Sequence, residues 1–189
     1  MKISLHINEM IPKNSMRKRT ITENIKLKGG LKEIQSAPRH EIYLVLDNIR
    51  SMYNVGAMFR TADGARVKKI FLCGITATPP RDKIFKTSLG AVDHIEWKYY
   101  KRAKTAVENL KKQGVQIVVL EQTDDSVHFK KADYRTPVAI VVGHEKKGIS
   151  RSVLKLADLI VEIPMHGVAN SLNVATSCGI IVYEVLSRI

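Results

Sequence analysis

The sequence predicts an α/β domain built on a parallel sheet, and three observations carry that prediction. From Glu41 to the end, apolar runs of strand length alternate with helix-like segments over about 150 residues. Several of those runs are continuously apolar and stop at a glycine or a polar loop, which is the pattern of strands buried on both faces. Finally, two strand–loop–helix units follow one another near the C-terminus. In a parallel sheet their loops, GHEKKG (Gly143 to Gly148) and HGVANSLN (His166 to Asn173), fall on the same edge, where open α/β sheets bind ligands.

Residues 1–40 differ in character. Lys2, Lys13, Arg17, Lys18, Arg19, Lys26, Lys28, Lys32 and Arg39 face only Glu9, Glu23 and Glu33, and Gly29-Gly30 interrupts the stretch. The expectation is a short basic arm, helical in two small pieces split at the glycines or partly mobile. Such side chains suit an RNA backbone, and equally a solvated surface.

From residue 41 the elements follow in order. Ile42 to Leu46 is a strand, and Asp47 to Tyr53 a polar loop. Asn54 to Asp63 is a helix for which Asn54 suits the N-cap. Lys69 to Cys73 is a strand, Lys83 to Leu89 a short helix broken by Gly90, and Ile95 to Tyr99 a strand. Ala103 to Lys112 is an amphipathic helix with Ala106, Val107 and Leu110 inward, closed by Gly114. Val115 to Leu120, Val138 to Val142 and Leu159 to Ile163 are strands, and Val174 to Leu186 is an apolar helix.

The chain has 189 residues, 44% hydrophobic and 26% charged, which suits one folded domain over 41–189 after the arm. No apolar run is long enough to span a bilayer and no signal-like segment opens the chain, so a cytoplasmic protein is expected. Cys73 and Cys178 lie far apart in apolar segments, which suggests buried thiols and neither a disulfide framework nor a metal site. A formal net charge of +13 favours a polyanionic partner, nucleic acid first.

Two nucleotide readings of the loops fail. Gly143 and Gly148 have the spacing of a phosphate-cradling loop, but Ile149 stands where its lysine must be. No G-x-G-x-x-G follows the first strand, which removes an ordinary dinucleotide site. What remains is a glycine-walled pocket with one carboxylate, Glu145, or a solvated loop ahead of a helix, which accounts for Lys146 and Lys147 but not for the second polar loop so close behind.

Three segments are specific in combination: NVGAMFRTADG (Asn54 to Gly64), VVGHEKKGIS (Val141 to Ser150) and IPMHGVANSLNVATSCGIIVYE (Ile163 to Glu184). Their order and wording resemble the SpoU (TrmH) family of RNA ribose 2′-O-methyltransferases, within the SPOUT class, from about Glu41 to the end. TPPRDKIFKTSLGA (Thr78 to Ala91) also looks like the family. The resemblance implies a SPOUT fold with a C-terminal trefoil knot, S-adenosylmethionine as cofactor, a homodimer whose active site draws on both chains, and no metal. It implies catalytic roles for Arg60, Asn54, Glu145, Ser171 and Asn173. It implies cofactor contacts at Leu120, Gly143, Ile163, Ser171 and Leu172. The RNA would be tRNA ahead of rRNA. His144 departs from the family pattern, which usually has Asn or another small polar residue there, and is read as a loop histidine rather than a base. The reading from another class is a non-catalytic RNA-binding or ribosome-assembly protein on the same fold, against which the intact Arg60, Glu145, Ser171 and Asn173 weigh.

Overall fold

The computed structural model describes residues 17–189. Part of the expected arm, including Lys2, Glu9 and Lys13, lies outside the described residues. The chain divides into two compact units between Pro38 and Arg39, two residues before the boundary drawn from composition. Ahead of that division lie helices α1 (Ile21–Leu27) and α2 (Leu31–Ser36). The Thr20 side chain accepts from the Glu23 N–H, and the Glu23 carboxylate accepts from the Thr20 N–H, so the first turn of α1 is capped in both directions. Gly29 and Gly30, at φ of 88° and 96°, stop it.

The second unit runs β1 (His40–Asp47), α3 (Met52–Gly64), β2 (Val67–Cys73), α4 (Asp82–Ser88), β3 (Glu96–Tyr100), α5 (Ala103–Lys112), β4 (Gln116–Leu120), β5 (Val127–His128), β6 (Val138–Gly143), α6 (Arg151–Leu154), β7 (Leu159–Glu162) and α7 (Val174–Leu186). The strands form one seven-stranded sheet in the order β3-β2-β1-β6-β4-β7-β5, and every pairing is parallel. The central strands β1 and β6 are the most continuously apolar and the most buried. Side chains alternate across the sheet. Ile42, Leu44 and Leu46 join Val55, Met58, Phe59, Ile181 and Val182 from α3 and α7 in one core, while Tyr43 and Val45 join Ala106, Val107 and Leu110 of α5 on the opposite face.

Most boundaries fall within two residues of the expectation, and three differences have causes. α3 begins at Met52, and its N-cap is Ser51 rather than Asn54: the Ser51 hydroxyl accepts from the Asn54 N–H at 3.4 Å. α5 is capped by Gln113, with Gly114 (φ 76°) one residue beyond, where its N–H reaches the Lys111 carbonyl. β5 has two residues, too few for any apolar periodicity to mark it in the sequence. Cys73 and Cys178 are free and buried, and burial pushes both thiols up to about 12.

Candidate active site

Because all seven strands are parallel, the loops after β1, β4, β6 and β7 leave from one edge. β1 ends in Asp47, a carboxylate only 1% exposed. It accepts from the Ser150 N–H at 2.9 Å and the Asn48 amide at 2.7 Å, binding the loop after β6 to the loop after β1. The Thr76 hydroxyl accepts from the Ile49 N–H and donates to the Leu46 carbonyl. The segment leading into α3 is therefore fixed before any ligand is considered.

Glu145 completes that fixation. Its carboxylate accepts from the N–H groups of Arg50 and Ser51, each at 3.0 Å, and from the Asn54 amide at 2.9 Å. Partial burial pushes its pKa up. The N–H groups of Arg50, of its own backbone and of Ser51, together with the Asn54 amide, outweigh that and hold it below the usual carboxylate value. Glu145 is thus an ionised anchor at the N-terminal end of α3, where an anion is also favoured by the helix dipole.

Asn54 carries the connection onward. Its side-chain oxygen accepts from the Asn173 amide at 3.1 Å. The other end of Asn173 caps α7, accepting from Ala175 N–H at 2.9 Å and Thr176 N–H at 3.2 Å. One line of hydrogen bonds, Glu145–Asn54–Asn173, thereby joins all three motif segments.

The line runs along a cavity of about 360 Å³. Leu120, Gly143, Ile163, Ser171 and Leu172 all line it, together with Glu145 and Asn173. Among the described residues the Ser171 hydroxyl makes no hydrogen bond, so it is available to a ligand. The two glycines that bound this loop are required by its own packing. A Cβ on Gly143 would meet the Gly148 carbonyl carbon at 2.5 Å, and one on Gly148 (φ 66°) would meet a Glu121 carboxylate oxygen at 2.1 Å. They allow the 143–148 loop to fold on itself, with His144 and Gly148 exchanging backbone hydrogen bonds. The His144 ring, through Nδ1, accepts from the Lys146 N–H at 3.0 Å, a loop-holding role. Ile149, in the place of a phosphate-loop lysine, is buried.

Sequence reasoning missed Glu121. It lies just past β4, lines the cavity and accepts from the Ile149 N–H at 2.8 Å. Its position at the carboxyl end of a central strand was the available signal.

Two expected site residues do not line the cavity: Asn54 is joined to its wall by hydrogen bonds to Glu145 and Asn173, whereas Arg60 stands apart from it. It is exposed on α3 and lines a separate, wide depression of about 810 Å³ with Leu89 and Tyr183. Among the described residues it forms no ion pair or hydrogen bond. Also among the described residues, no helix is long and apolar enough to cross a membrane, and no cluster of three or more metal-ligating side chains occurs.

Comparison with known proteins is consistent with these features. The SpoU rRNA Methylase family model matches residues 41–183. The tRNA (guanosine(18)-2′-O)-methyltransferase of Aquifex aeolicus is 32% identical over 157 residues, covering 82% of this chain and 72% of that protein. Among solved structures, the A. aeolicus TrmH/SpoU tRNA modifying enzyme superposes with a TM-score of 0.75 at 30% identity, over 86% of this chain and 82% of that one. An AdoMet-bound rRNA methyltransferase from Sinorhizobium meliloti gives 0.70 at 28% identity, over 82% of this chain and 60% of that one.

Proposed function

The chain belongs to the SpoU rRNA Methylase family, and from that premise we propose that it transfers a methyl group from S-adenosylmethionine to a ribose 2′-hydroxyl of RNA, tRNA ahead of rRNA. One observation supports this reading most: the three motif segments meet through Glu145, Asn54 and Asn173 at the wall of a single cavity. The A. aeolicus relative is a tRNA enzyme and the S. meliloti one an rRNA enzyme, and a net charge of +13 suits an RNA substrate. An RNA substrate agrees with a cytoplasmic location.

The cavity fits the proposed cofactor. About 360 Å³ lies within the range of roughly 300–1,000 Å³ usual for small-ligand sites. Leu120, Ile163 and Leu172 offer apolar contact to a base, and Glu121 and Glu162 offer negative charge to a cation. Leu120, Gly143, Ile163, Ser171 and Leu172 would hold it. When bound, S-adenosylmethionine supplies an activated methyl group on a sulfonium.

The chain's own part is positioning and charge. The ribose oxygen would approach in line with the sulfonium C–S bond; as the new C–O bond forms, that bond breaks, the sulfur departs as a neutral thioether and the hydroxyl proton passes to water. Glu145, with all three donors engaged, holds the entrance to α3 in place. Asn54 and Asn173 keep α7 registered against it. Arg60, a guanidinium that stays charged, fits a clamp on the adjacent phosphate that also stabilises developing alkoxide charge.

For Arg60 to do this it must reach a cavity its own chain does not bring to it, which supports a homodimer with a site drawn from two chains. The exposed side chains around Arg60 agree: Tyr183 is 52% and Leu89 66% exposed. We also place residues 1–40 as a separate basic arm that grips RNA backbone. A deep trefoil knot at the C-terminus is supported by the strand order. β7 lies between β4 and β5, although both precede it in the chain, and the Gln122 amide donates to the Asn170 carbonyl beyond it at 3.1 Å.

The test is titration of S-adenosylmethionine into the purified protein, followed by mapping of 2′-O-methylation on tRNA incubated with both. Binding heat and a methyl mark at a defined ribose are expected. No heat and no mark would leave the RNA-binding alternative standing.

A further inference from the structure

Beside the first cavity lies a second, of about 420 Å³, and the two share His144, Glu145 and Lys146 as a common wall. We propose that this second cavity receives the nucleotide to be methylated, with Tyr53 as the surface on which its base stacks and Arg50, Lys83 and Lys146 as the cations that meet its flanking phosphates. The proposal rests on the methyl-transfer reading above and adds the RNA side of that site.

Four observations carry it. The Tyr53 ring is 47% exposed although it sits in the first turn of a helix with a well-buried opposite face. The Lys83 ammonium lies 5.8 Å from its centroid, a cation against a π-face. Arg50, Lys83 and Lys146 are exposed, and among the described residues none forms an ion pair. The carboxylate in the shared wall, Glu145, already has its oxygens engaged by three donors, so it repels an incoming phosphate less than a free carboxylate would.

The platform is built, not incidental. α3 and α4 approach so closely that a Cβ on Gly56 would lie 2.4 Å from the Ile84 carbonyl oxygen. At that crossing the Thr87 hydroxyl donates to the Tyr53 carbonyl at 3.0 Å. The same packing sets Lys83, on the first turn of α4, beside the Tyr53 ring. A flat aromatic face with flanking cations is the arrangement that binds an unstacked base and its backbone with little dependence on base identity. The junction between the two cavities is the Asn54–Asn173 hydrogen bond, since Asn54 lines one and Asn173 the other. A ribose lying at that junction would have its base over Tyr53 and its 2′-oxygen turned toward the methyl donor's cavity.

The experiment measures binding of a fluorescein-labelled, unmodified tRNA transcript by anisotropy for the full chain and for Tyr53→Phe, Tyr53→Ala and Lys83→Ala. S-adenosylmethionine affinity is measured in parallel by calorimetry. Tyr53→Ala should weaken RNA binding about 5- to 100-fold, and Tyr53→Phe, which keeps the ring, by no more than about twofold. Lys83→Ala should lower the slope of log affinity against log salt by about one. Cofactor affinity should hold in all three. Unchanged RNA affinity in Tyr53→Ala overturns the proposal, as does equal loss in the Phe and Ala variants with cofactor affinity intact, which would assign the effect to the hydroxyl and not to a stacking ring. A change in dimer mass at constant RNA affinity also overturns it, assigning the cavity to a second copy. A wild-type chain that binds RNA through Tyr53 yet takes up no S-adenosylmethionine would sink the methyl-transfer reading and leave the nucleotide cavity in place.

Discussion

The two ends of α3 are furnished in opposite ways. At its N-terminal end Ser51, Asn54 and the preceding N–H groups are gripped by Glu145 from the loop after β6, and through Asn54 by Asn173 at the start of α7. Further along the helix Arg60 stands exposed at the edge of an open depression with no partner among the described residues. The same helix thus carries a preorganised half-site and an unsatisfied cation. Groups held by three separate chain segments are ready for chemistry that tolerates little misplacement. The proposed homodimer would use that free guanidinium in the cavity of the second chain.

The sharpest way to break that contrast is to remove the cation. Arg60→Ala should cut methyl transfer about 100- to 1,000-fold, the scale of losing one donor to developing oxyanion charge, and leave S-adenosylmethionine affinity unchanged by calorimetry. Loss of cofactor affinity in proportion to rate would place Arg60 in the cofactor cavity after all. Mixing Arg60→Ala chains with Asn173→Ala chains, each impaired alone, sharpens it further. If one site uses Arg60 from one chain and the cavity of the other, subunit exchange should restore about a quarter of wild-type activity. If each chain is self-sufficient, mixing restores nothing.

The contrast also explains what the sequence disclosed. The parallel sheet was legible because β1 and β6 must be apolar on both faces, and a run such as VAIVV followed by glycine has few other meanings. The convergence of the two C-terminal loops followed from the parallel sheet alone. The grip of Glu145 on backbone N–H groups was not legible, because a hydrogen bond to a main-chain donor leaves no mark on the donor's residue type. Arg50 and Ser51 were therefore read as an undistinguished loop, and the N-cap was moved three residues too far, to Asn54, the stronger-looking capping residue. Tyr53 and Lys83 went unremarked for a related reason: they meet only because Gly56 lets α4 press against α3, and no local pattern reports a helix crossing.

A smaller effect is expected at the anchor itself. Glu145→Gln keeps the shape but replaces one acceptor oxygen with a donor facing other donors. Methyl transfer should fall about tenfold or more, and stability by about 1 kcal/mol, since these donors lie near solvent. The pH dependence has a definite sign. The folded state lowers the Glu145 pKa, so its contribution is full above the unfolded carboxyl value and is lost as pH falls through the lower, folded one. Melting temperature against pH should therefore drop less steeply on the acid side for Glu145→Gln than for the wild type. Parallel acid limbs would deny Glu145 this anchoring role.

Asn173 separates the two functions that the preorganised half-site combines. Its oxygen caps α7 and its amide donates to Asn54. Asn173→Ala removes both, so stability should fall by about 1 kcal/mol, or about 2–4 °C in melting temperature, with weaker cofactor binding and slower transfer. Asn173→Asp keeps a good capping oxygen but sets a carboxylate against the Asn54 oxygen, ending the connection to Glu145. It should melt close to wild type and still transfer methyl groups poorly. If Asn173→Asp works at the wild-type rate, the line from Glu145 to α7 is only scaffolding, and the readiness of this half-site must come from the cavity walls instead.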